Sequence, residues 1–222
     1  MKYYILCILF LLLLVYYCAF REIPLQFQLL EDHPTISIVQ AYFINMDTSV
    51  ARRECFLATY DGPPIARVPG VLVDEGVDTG KIGRGAFGCA MAHANILRSI
   101  GDSVDGWYLV CEDDARGDFH GVMDNPIVCN IAARTDKQFI NLTYEPTRYS
   151  YDLNVVHEGT VAYLVQPTCA KLLSMRIVDN IRKYPCDYVT QLYLDRKGNS
   201  MGCHVNLIGY EGLDSDIAVL GR

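Results

Sequence analysis

Residues 107–115 read Trp107-Tyr108-Leu109-Val110-Cys111-Glu112-Asp113-Asp114-Ala115, an apolar run that ends abruptly in three carboxylates. The run is short, and its aromatic and β-branched residues are typical of a buried strand. In an open α/β sheet, ligands bind in the crevice beyond the carboxyl ends of the strands. The sequence therefore places three adjacent acids at the edge of a sheet where a ligand site is expected.

Three neighbouring carboxylates repel one another, and a divalent cation would relieve that repulsion. Carboxylate oxygens are hard ligands that suit Mg²⁺ or Mn²⁺. A cation held there could bind the phosphates of a nucleotide and stabilise a departing diphosphate. The alternative is a solvated turn followed by the first turn of a helix, where acids are favoured. The local pattern leaves both interpretations open.

Length and charge limit the classes of protein to consider. The chain has 222 residues, which is enough for one domain with a sizeable core. Its net charge of -7 offers no basic surface, so nucleic acid is not an expected partner. An acidic protein can still bind a nucleotide sugar if a metal ion and a few arginines offset the phosphates.

The N-terminal segment from Tyr3 to Phe20 is an uninterrupted apolar stretch. Its length is about the minimum that spans a bilayer as a helix. The apolar core is long for a cleaved signal peptide, and no clean small-x-small cleavage site follows it. The segment therefore favours a retained signal anchor.

The charges around this segment indicate an orientation. Lys2 and the free amino terminus precede the apolar stretch, which favours a cytosolic N-terminus and a lumenal globular domain. We expect a single-pass type II membrane protein. Its parts are a transmembrane anchor at 3–20, a stalk at 21–34 and a globular domain at 35–222.

Hydrophobic periodicity and turn residues predict alternating strands and helices. Strands are expected at 35–45, 65–73, 107–111, 138–143, 160–165 and 204–209. Helices are expected from a cap at Asp47 or Thr48 to about 60, at 87–100, in an irregular stretch interrupted by Pro126, at 167–183 and at 187–196. This alternation predicts an α/β fold with a mostly parallel central sheet flanked by helices.

The nine cysteines are scattered and include no C-x-x-C pair, so a structural zinc site is not expected. Cys89 and His93 lie four residues apart on an expected helix. A zinc site would need two further ligands that the sequence pattern does not supply.

Several separated segments resemble glycosyltransferase family 25, which includes lipooligosaccharide and collagen galactosyltransferases. In chain order they are Phe43-Ile44-Asn45-Met46-Asp47 with Arg52-Arg53, Gly88-Cys89-Ala90-Met91-Ala92-His93, Leu109-Val110-Cys111-Glu112-Asp113-Asp114-Ala115, Gly159-Thr160-Val161-Ala162-Tyr163-Leu164 with Ala170-Lys171-Leu172-Leu173, the acid Asp187, and Ser215-Asp216-Ile217. Two positions depart from the pattern: Ala92 stands where serine is usual, and Cys169 where glycine is usual.

The resemblance implies a GT-A-like fold and a metal-dependent, inverting transfer of a hexose, with galactose as the expected sugar. The donor would be a UDP-sugar, and the acceptor a hydroxyl group of a glycan, glycolipid or protein. Under this resemblance Glu112 or Asp113, together with Asp114, would coordinate Mn²⁺ or Mg²⁺ bridging the two phosphates.

Four further residues are candidates for binding the donor. The guanidinium groups of Arg52 and Arg53 suit phosphates, although adjacent helical residues diverge by about 100°, so one of them is expected on the surface. Asn45 ends the first strand and could bind a base or ribose, or form a turn. His93 is either a polar wall of the donor site or a hydrogen-bonded core histidine.

An inverting transfer needs a carboxylate to accept the proton of the attacking hydroxyl. Asp187, Glu158 and Asp216 are the candidates outside the acid cluster, and Asp187 fits the family position best. The alternative role of Asp187 is a helix N-cap, for which aspartate is well suited.

A second function remains open for the same fold. The chain could be a membrane-anchored, non-catalytic binding or scaffold protein that retains the glycosyltransferase fold. The intact acid cluster argues against it, because burying unpaired acids is costly without a ligand.

Overall fold

The computed structural model describes residues 35–144, 151–152, 156, 159–194 and 201–210. The expected anchor at 3–20 and stalk at 21–34 lie outside the described residues. Within the described ranges, no helix combines the length and the apolar character needed to span a bilayer.

The described part of the chain alternates strands and helices, as expected from its periodicity. The strands are β1 (Ile38–Asn45), β2 (Ile65–Pro69), β3 (Trp107–Glu112), β4 (Ala115–Arg116), β5 (Phe139–Thr143), β6 (Tyr151–Asp152), β7 (Ala162–Val165) and β8 (Gly202–Tyr210). The helices are α1 (Val50–Thr59), α2 (Arg84–Gly101), α3 (Phe119–Asp124), α4 (Pro126–Ala132), α5 (Pro167–Asn180) and α6 (Cys186–Leu194).

The strands form one sheet in the order β2-β1-β3-β7-β5-β8-β4, with β6 beside β8. β1 pairs in parallel with β2 and β3, and β5 pairs in parallel with β8. β7 runs antiparallel to both β3 and β5, and the two-residue strands β4 and β6 run antiparallel to β8. The longer strands therefore share one direction except for β7, which confirms a mostly parallel sheet and adds a reversal that the sequence pattern did not predict.

Successive side chains of β3 point to opposite faces of the sheet, as the period of a strand requires. Leu109 and Cys111 belong to one apolar cluster, which α1, α3 and α4 cover. Tyr108 and Val110 belong to a second cluster, which α2, α5 and α6 cover. Residues 107–111 of β3 are apolar and buried, as expected for a strand that is covered on both faces.

The start of α1 differs from the expected cap at Asp47 or Thr48. The N-cap is Ser49, whose carbonyl oxygen accepts from the backbone N–H of Arg53 and whose side chain makes no capping bond. The carboxylate of Asp47 instead accepts a hydrogen bond from Arg67. The acid is thus drawn away from the helix by a cation of the neighbouring strand.

The interruption expected at Pro126 is confirmed. Pro126 begins α4, and the side-chain oxygen of Asn125 accepts hydrogen bonds from the backbone N–H groups of Ile127 and Val128. A cap and a proline together separate α3 from α4.

The first half of α2 lies against the segment that follows β2. Gly88 is buried there, and a Cβ atom added to it would meet the carbonyl oxygen of Val71 closer than real Cβ atoms approach. This close packing holds α2 beside the carboxyl ends of β1 and β2, and thereby positions its side chains near the expected site.

Replacing Gly88 with alanine should therefore destabilise the fold. Because the backbone of Val71 has little room to move, we expect Gly88→Ala to lower the free energy of unfolding by about 1–3 kcal/mol, measured by urea denaturation. Gly76→Ala is the matched control, since no atom lies within 4 Å of a Cβ at that position. Equal stability of the two variants would contradict the packing described for α2.

Candidate functional site

A cleft opens at the carboxyl ends of β1 and β3, beside α1 and the first half of α2. Its volume is about 610 Å³, with the open solvent at its mouth included. Six of the residues singled out from the sequence line it: Asn45, Arg52, His93, Glu112, Asp113 and Asp114. The fold thus brings together polar groups from four separate segments, while their roles remain predictions.

Asp113 is the most enclosed of the three acids, with 4% of the residue exposed. Its Oδ1 accepts a charged hydrogen bond from Nη2 of Arg52, and its Oδ2 accepts from Nδ2 of Asn45 at 2.6 Å. Burial raises the pKa of Asp113, and these two donors act in the opposite direction. Because both oxygens are engaged, Asp113 serves to hold α1 and the end of β1 against the end of β3.

Asn45 is itself held at both ends of its amide. Its Nδ2 also donates to the carbonyl oxygen of Ser49 at 3.0 Å, and its Oδ1 accepts from Nε of Arg67 at 3.1 Å. The same arginine donates through Nη2 to the carbonyl oxygen of Asn45 at 2.9 Å. The amide thus orients Asp113, and its predicted contact with a base or ribose stays a prediction.

The sequence analysis missed Arg67. It lies in β2, paired with Phe43 of β1. A charged residue inside a short strand is a signal that could have drawn attention to it.

Of the three acids, Asp114 has the fewest hydrogen bonds and the most distant cation to stabilise its charge. Its Oδ2 lies 3.7 Å from Nη2 of Arg52, and its Oδ1 is buried without a hydrogen-bond partner among the described residues. Burial, together with the neighbouring charges of Glu112 and Asp113, raises the pKa of Asp114 to about 6. An ionised, partly buried carboxylate with an unsatisfied oxygen facing a cleft is a suitable ligand for a hard cation.

Glu112 is held by groups on the opposite face of the sheet from Arg52. Its Oε1 accepts from the hydroxyl of Thr160 at 2.9 Å and lies 3.3 Å from Nε2 of His93. Burial acts to raise the pKa of Glu112, but the hydrogen bonds of His93 and Thr160 and the nearby cations outweigh it, so the pKa lies below its ordinary value. Glu112 is therefore ionised at neutral pH.

His93 combines the two roles that the sequence left open. It is 1% exposed, yet it lines the cleft, and its Nδ1 lies 3.0 Å from the hydroxyl of Tyr163. Burial acts to lower the pKa of His93, but the neighbouring Cys186 and Glu112 overcome that effect and raise it. Tyr163 and Thr160 had been noted only as part of a resembling segment, because nothing in their local pattern shows that they face His93 and Glu112.

A set of possible metal ligands includes part of this wall: Cys89 and His93 line the cleft, and Cys186 lies outside its lining. Cys89, His93 and Cys186 place their ligand atoms within 4.8 Å of one another. No other group of three such side chains in the described part of the chain meets this distance, so the carboxylates of 112–114 do not converge in this way. The sequence pattern showed only Cys89 and His93, since Cys186 is 97 residues away from Cys89 along the chain.

Two of the other predicted residues, Arg53 and Asp187, are described and do not line the cleft. Arg53 does not line the cleft, as expected for one of two adjacent helical arginines. Asp187 is also outside the lining; it sits in the first turn of α6 rather than at its N-cap, and its Oδ1 accepts from the backbone N–H of Tyr188 at 2.8 Å. Glu158 and Asp216 fall outside the described residues.

Comparison with known proteins gives similarity at the level of solved structures. No family model matches the chain, and no curated protein matches it. The fold is similar to the crystal structure of a glycosyltransferase involved in the glycosylation of the major capsid of PBCV-1. The alignment covers 79% of this chain and 96% of that chain, with 11% identity and a TM-score of 0.47. At this level of similarity, function has to be argued from the site itself.

The pairing of Arg52 with Asp113 predicts a difference between two adjacent arginines. Arg52→Ala would leave Asp113 buried without its cation, and we expect the free energy of unfolding at pH 7.5 to fall by about 3–5 kcal/mol. Arg53→Ala is the matched control and should change it by less than about 0.5 kcal/mol. Urea denaturation measures both, and equal midpoints for the two variants would show that the pair is not an anchor.

The raised pKa of Asp114 predicts a pH dependence of stability in metal-free buffer. Between about pH 4 and pH 6 the folded state binds more protons at this carboxyl group than the unfolded state, so this acid makes the fold less stable as the pH rises. Asp114→Asn removes the effect. The free energy of unfolding of Asp114→Asn should equal that of the natural protein at about pH 4. It should exceed it by as much as about 3 kcal/mol at about pH 7.5.

Urea denaturation at the two pH values tests this expectation. Asp105→Asn, in the exposed turn before β3, is the control and should show no such trend. A gain for Asp114→Asn that is the same at both pH values would contradict the assignment of an uncompensated carboxylate.

Proposed function

We propose that the protein is a metal-dependent glycosyltransferase. It moves a hexose, with galactose as the expected sugar, from a UDP-sugar to a hydroxyl group of a glycan, glycolipid or protein. The observation that carries the proposal is the unsatisfied carboxylate of Asp114 beside Arg52, in a cleft at the carboxyl edge of a mostly parallel sheet. That edge is where open α/β sheets bind their ligands.

The donor groups at this edge fit a hard divalent cation. Asp114 offers an unsatisfied oxygen, and Glu112 is the other ionised carboxylate of the cleft wall. Mg²⁺ and Mn²⁺ are commonly held by one or two carboxylates together with the phosphate oxygens of a substrate. Bound there, Mn²⁺ or Mg²⁺ would neutralise the charge that develops on the leaving diphosphate.

Other side chains of the cleft would bind the diphosphate of the donor or position the groups that bind it. The guanidinium of Arg52 supplies hydrogen-bond donors for a diphosphate, and Asp113 fixes its orientation. Asn45 and Arg67 in turn fix Asp113, so that the cationic group is positioned before the donor binds. His93 and Thr160 hold Glu112 ionised on the opposite side.

In the transfer itself, the oxygen of the acceptor hydroxyl attacks the anomeric carbon of the sugar. The bond from that carbon to the diphosphate breaks, and its electron pair leaves with UDP. The hydroxyl proton passes to a carboxylate. Asp187 is the described candidate for this base, and Glu158 and Asp216 are the other two.

We also propose that the protein is anchored to a membrane. The anchor expected at 3–20 would fix the domain to a bilayer, with the domain on the lumenal side. A glycolipid or a membrane-associated protein would then be a suitable acceptor.

Turnover of the full-length chain tests the proposal. With UDP-galactose and Mn²⁺ we expect release of UDP as the galactosyl group passes to an added acceptor or to water. Removal of the metal by a chelator should abolish it, and added Mn²⁺ should restore it. Asp114→Asn should reduce the rate by at least about 100-fold, because it weakens the hold on the cation that would neutralise the leaving diphosphate. The exposed-turn variant Asp105→Asn should retain the rate.

Two outcomes would count against the proposal, the first against its metal-binding carboxylate and the second against transfer altogether. Full turnover by Asp114→Asn would exclude the cleft carboxylate from the reaction. The absence of UDP release from every UDP-sugar, with no binding of Mn²⁺, would favour the non-catalytic binding or scaffold protein instead.

A further inference from the structure

We propose that Cys89, His93 and Cys186 form a binding site for a zinc ion at the wall of the cleft. The site is separate from the carboxylate group of Asp114 and uses different donor atoms. It does not depend on the glycosyltransferase assignment, and it would exist equally in a binding protein with this fold.

The geometry is the first argument. Cys89 and His93 lie four residues apart on α2 and therefore share one face of the helix, and Cys186 is the first residue of α6. The sulfur atoms of Cys89 and Cys186 are 3.9 Å apart. Two thiolates on one tetrahedral zinc ion, each about 2.3 Å from the metal, lie about 3.8 Å apart. A disulfide would need about 2.05 Å, so the observed distance fits a shared ion.

The donor set is the second argument. Two thiolates and an imidazole are ligands that zinc prefers, whereas Mg²⁺ and Mn²⁺ prefer oxygen. Cys186 is 3% exposed and His93 is 1% exposed, so the ion would be held in the protein interior beside the cleft. The two neighbouring sites would therefore take different metals.

The surroundings of His93 are the third argument. The hydroxyl of Tyr163 lies 3.0 Å from Nδ1 and orients the ring. Such an outer partner on the second ring nitrogen is the usual arrangement for a metal-bound histidine. Nε2, which lies 3.3 Å from Oε1 of Glu112, would give up that contact to bind the ion.

The fourth coordination position would face polar groups. Oε1 of Glu112 lies 3.3 Å from Nε2 of His93, and the hydroxyl of Thr160 lies 3.7 Å from the sulfur of Cys186. Three protein ligands with water in the fourth position is a common zinc arrangement. The ion would join α2 to the start of α6 and fix His93 in the cleft wall.

Cobalt binding to the full-length chain tests the proposal with a readout other than turnover. The protein is reduced, stripped of metal with a chelator and titrated with Co²⁺. We expect one equivalent to bind, with a thiolate-to-cobalt charge-transfer band in the near ultraviolet and the visible bands of tetrahedral cobalt. Zn²⁺ should displace the cobalt and bleach these bands, and Mn²⁺ should not.

Substitutions assign the ligands. Cys186→Ser and Cys89→Ser should each weaken cobalt binding by more than the roughly 100-fold that loss of an outer partner can cause. Cys55→Ser, an exposed cysteine on α1, is the matched control and should bind as the natural protein does. Circular dichroism of the metal-free variants reports their folding, and His93→Gln provides the same test where a cysteine variant does not fold.

Three results would overturn the proposal. The first is the absence of a thiolate-to-cobalt band in the natural protein. The second is unchanged cobalt binding by folded Cys186→Ser. The third is a disulfide-linked peptide of Cys89 and Cys186 in the non-reduced protein, combined with no metal binding after reduction. Asp114→Asn should keep the cobalt bands, so loss of transferase activity and loss of this site can be told apart.

Discussion

The pairing of the buried carboxylate of Asp113 with Arg52 is the interaction on which the rest of the site depends. A carboxylate removed from water is costly unless hydrogen bonds and an opposite charge compensate it. Arg52 on α1 and Asn45 at the end of β1 provide both for Asp113. This requirement holds a helix and two strands in a fixed arrangement, and it keeps Arg52 in the lining of the cleft.

Three consecutive acids have three different environments in this fold. Glu112 is stabilised as an anion by His93 and Thr160, and Asp113 is enclosed by Arg52 and Asn45. Asp114 has a buried oxygen without a partner among the described residues and a pKa raised to about 6. The cluster therefore leaves one carboxylate for a ligand, and the other two organise the groups around it.

Helix α2 connects the two sites that we propose. Its buried Gly88 allows the helix to lie against the segment after β2, and the same helix carries Cys89 and His93. His93 meets Glu112 of the cleft through one ring nitrogen and also belongs to the cysteine–histidine group. A change in the packing of α2 would therefore move side chains of both the cleft and the cysteine–histidine group.

The sequence by itself determined the alternation of strands and helices, the buried strand β3, the break at Pro126 and six of the residues that line the cleft. These features follow from local patterns: hydrophobic period, capping residues, and polar groups placed where strands end. The antiparallel course of β7, the roles of Arg67 and Tyr163, and the approach of Cys186 to Cys89 were decided only by the tertiary structure. The tertiary structure also decided which of the three acids has a carboxylate oxygen without a hydrogen-bond partner among the described residues. Strand direction and contacts between distant segments depend on the path of the whole chain, and the pKa of each carboxyl group depends on the neighbours that this path provides.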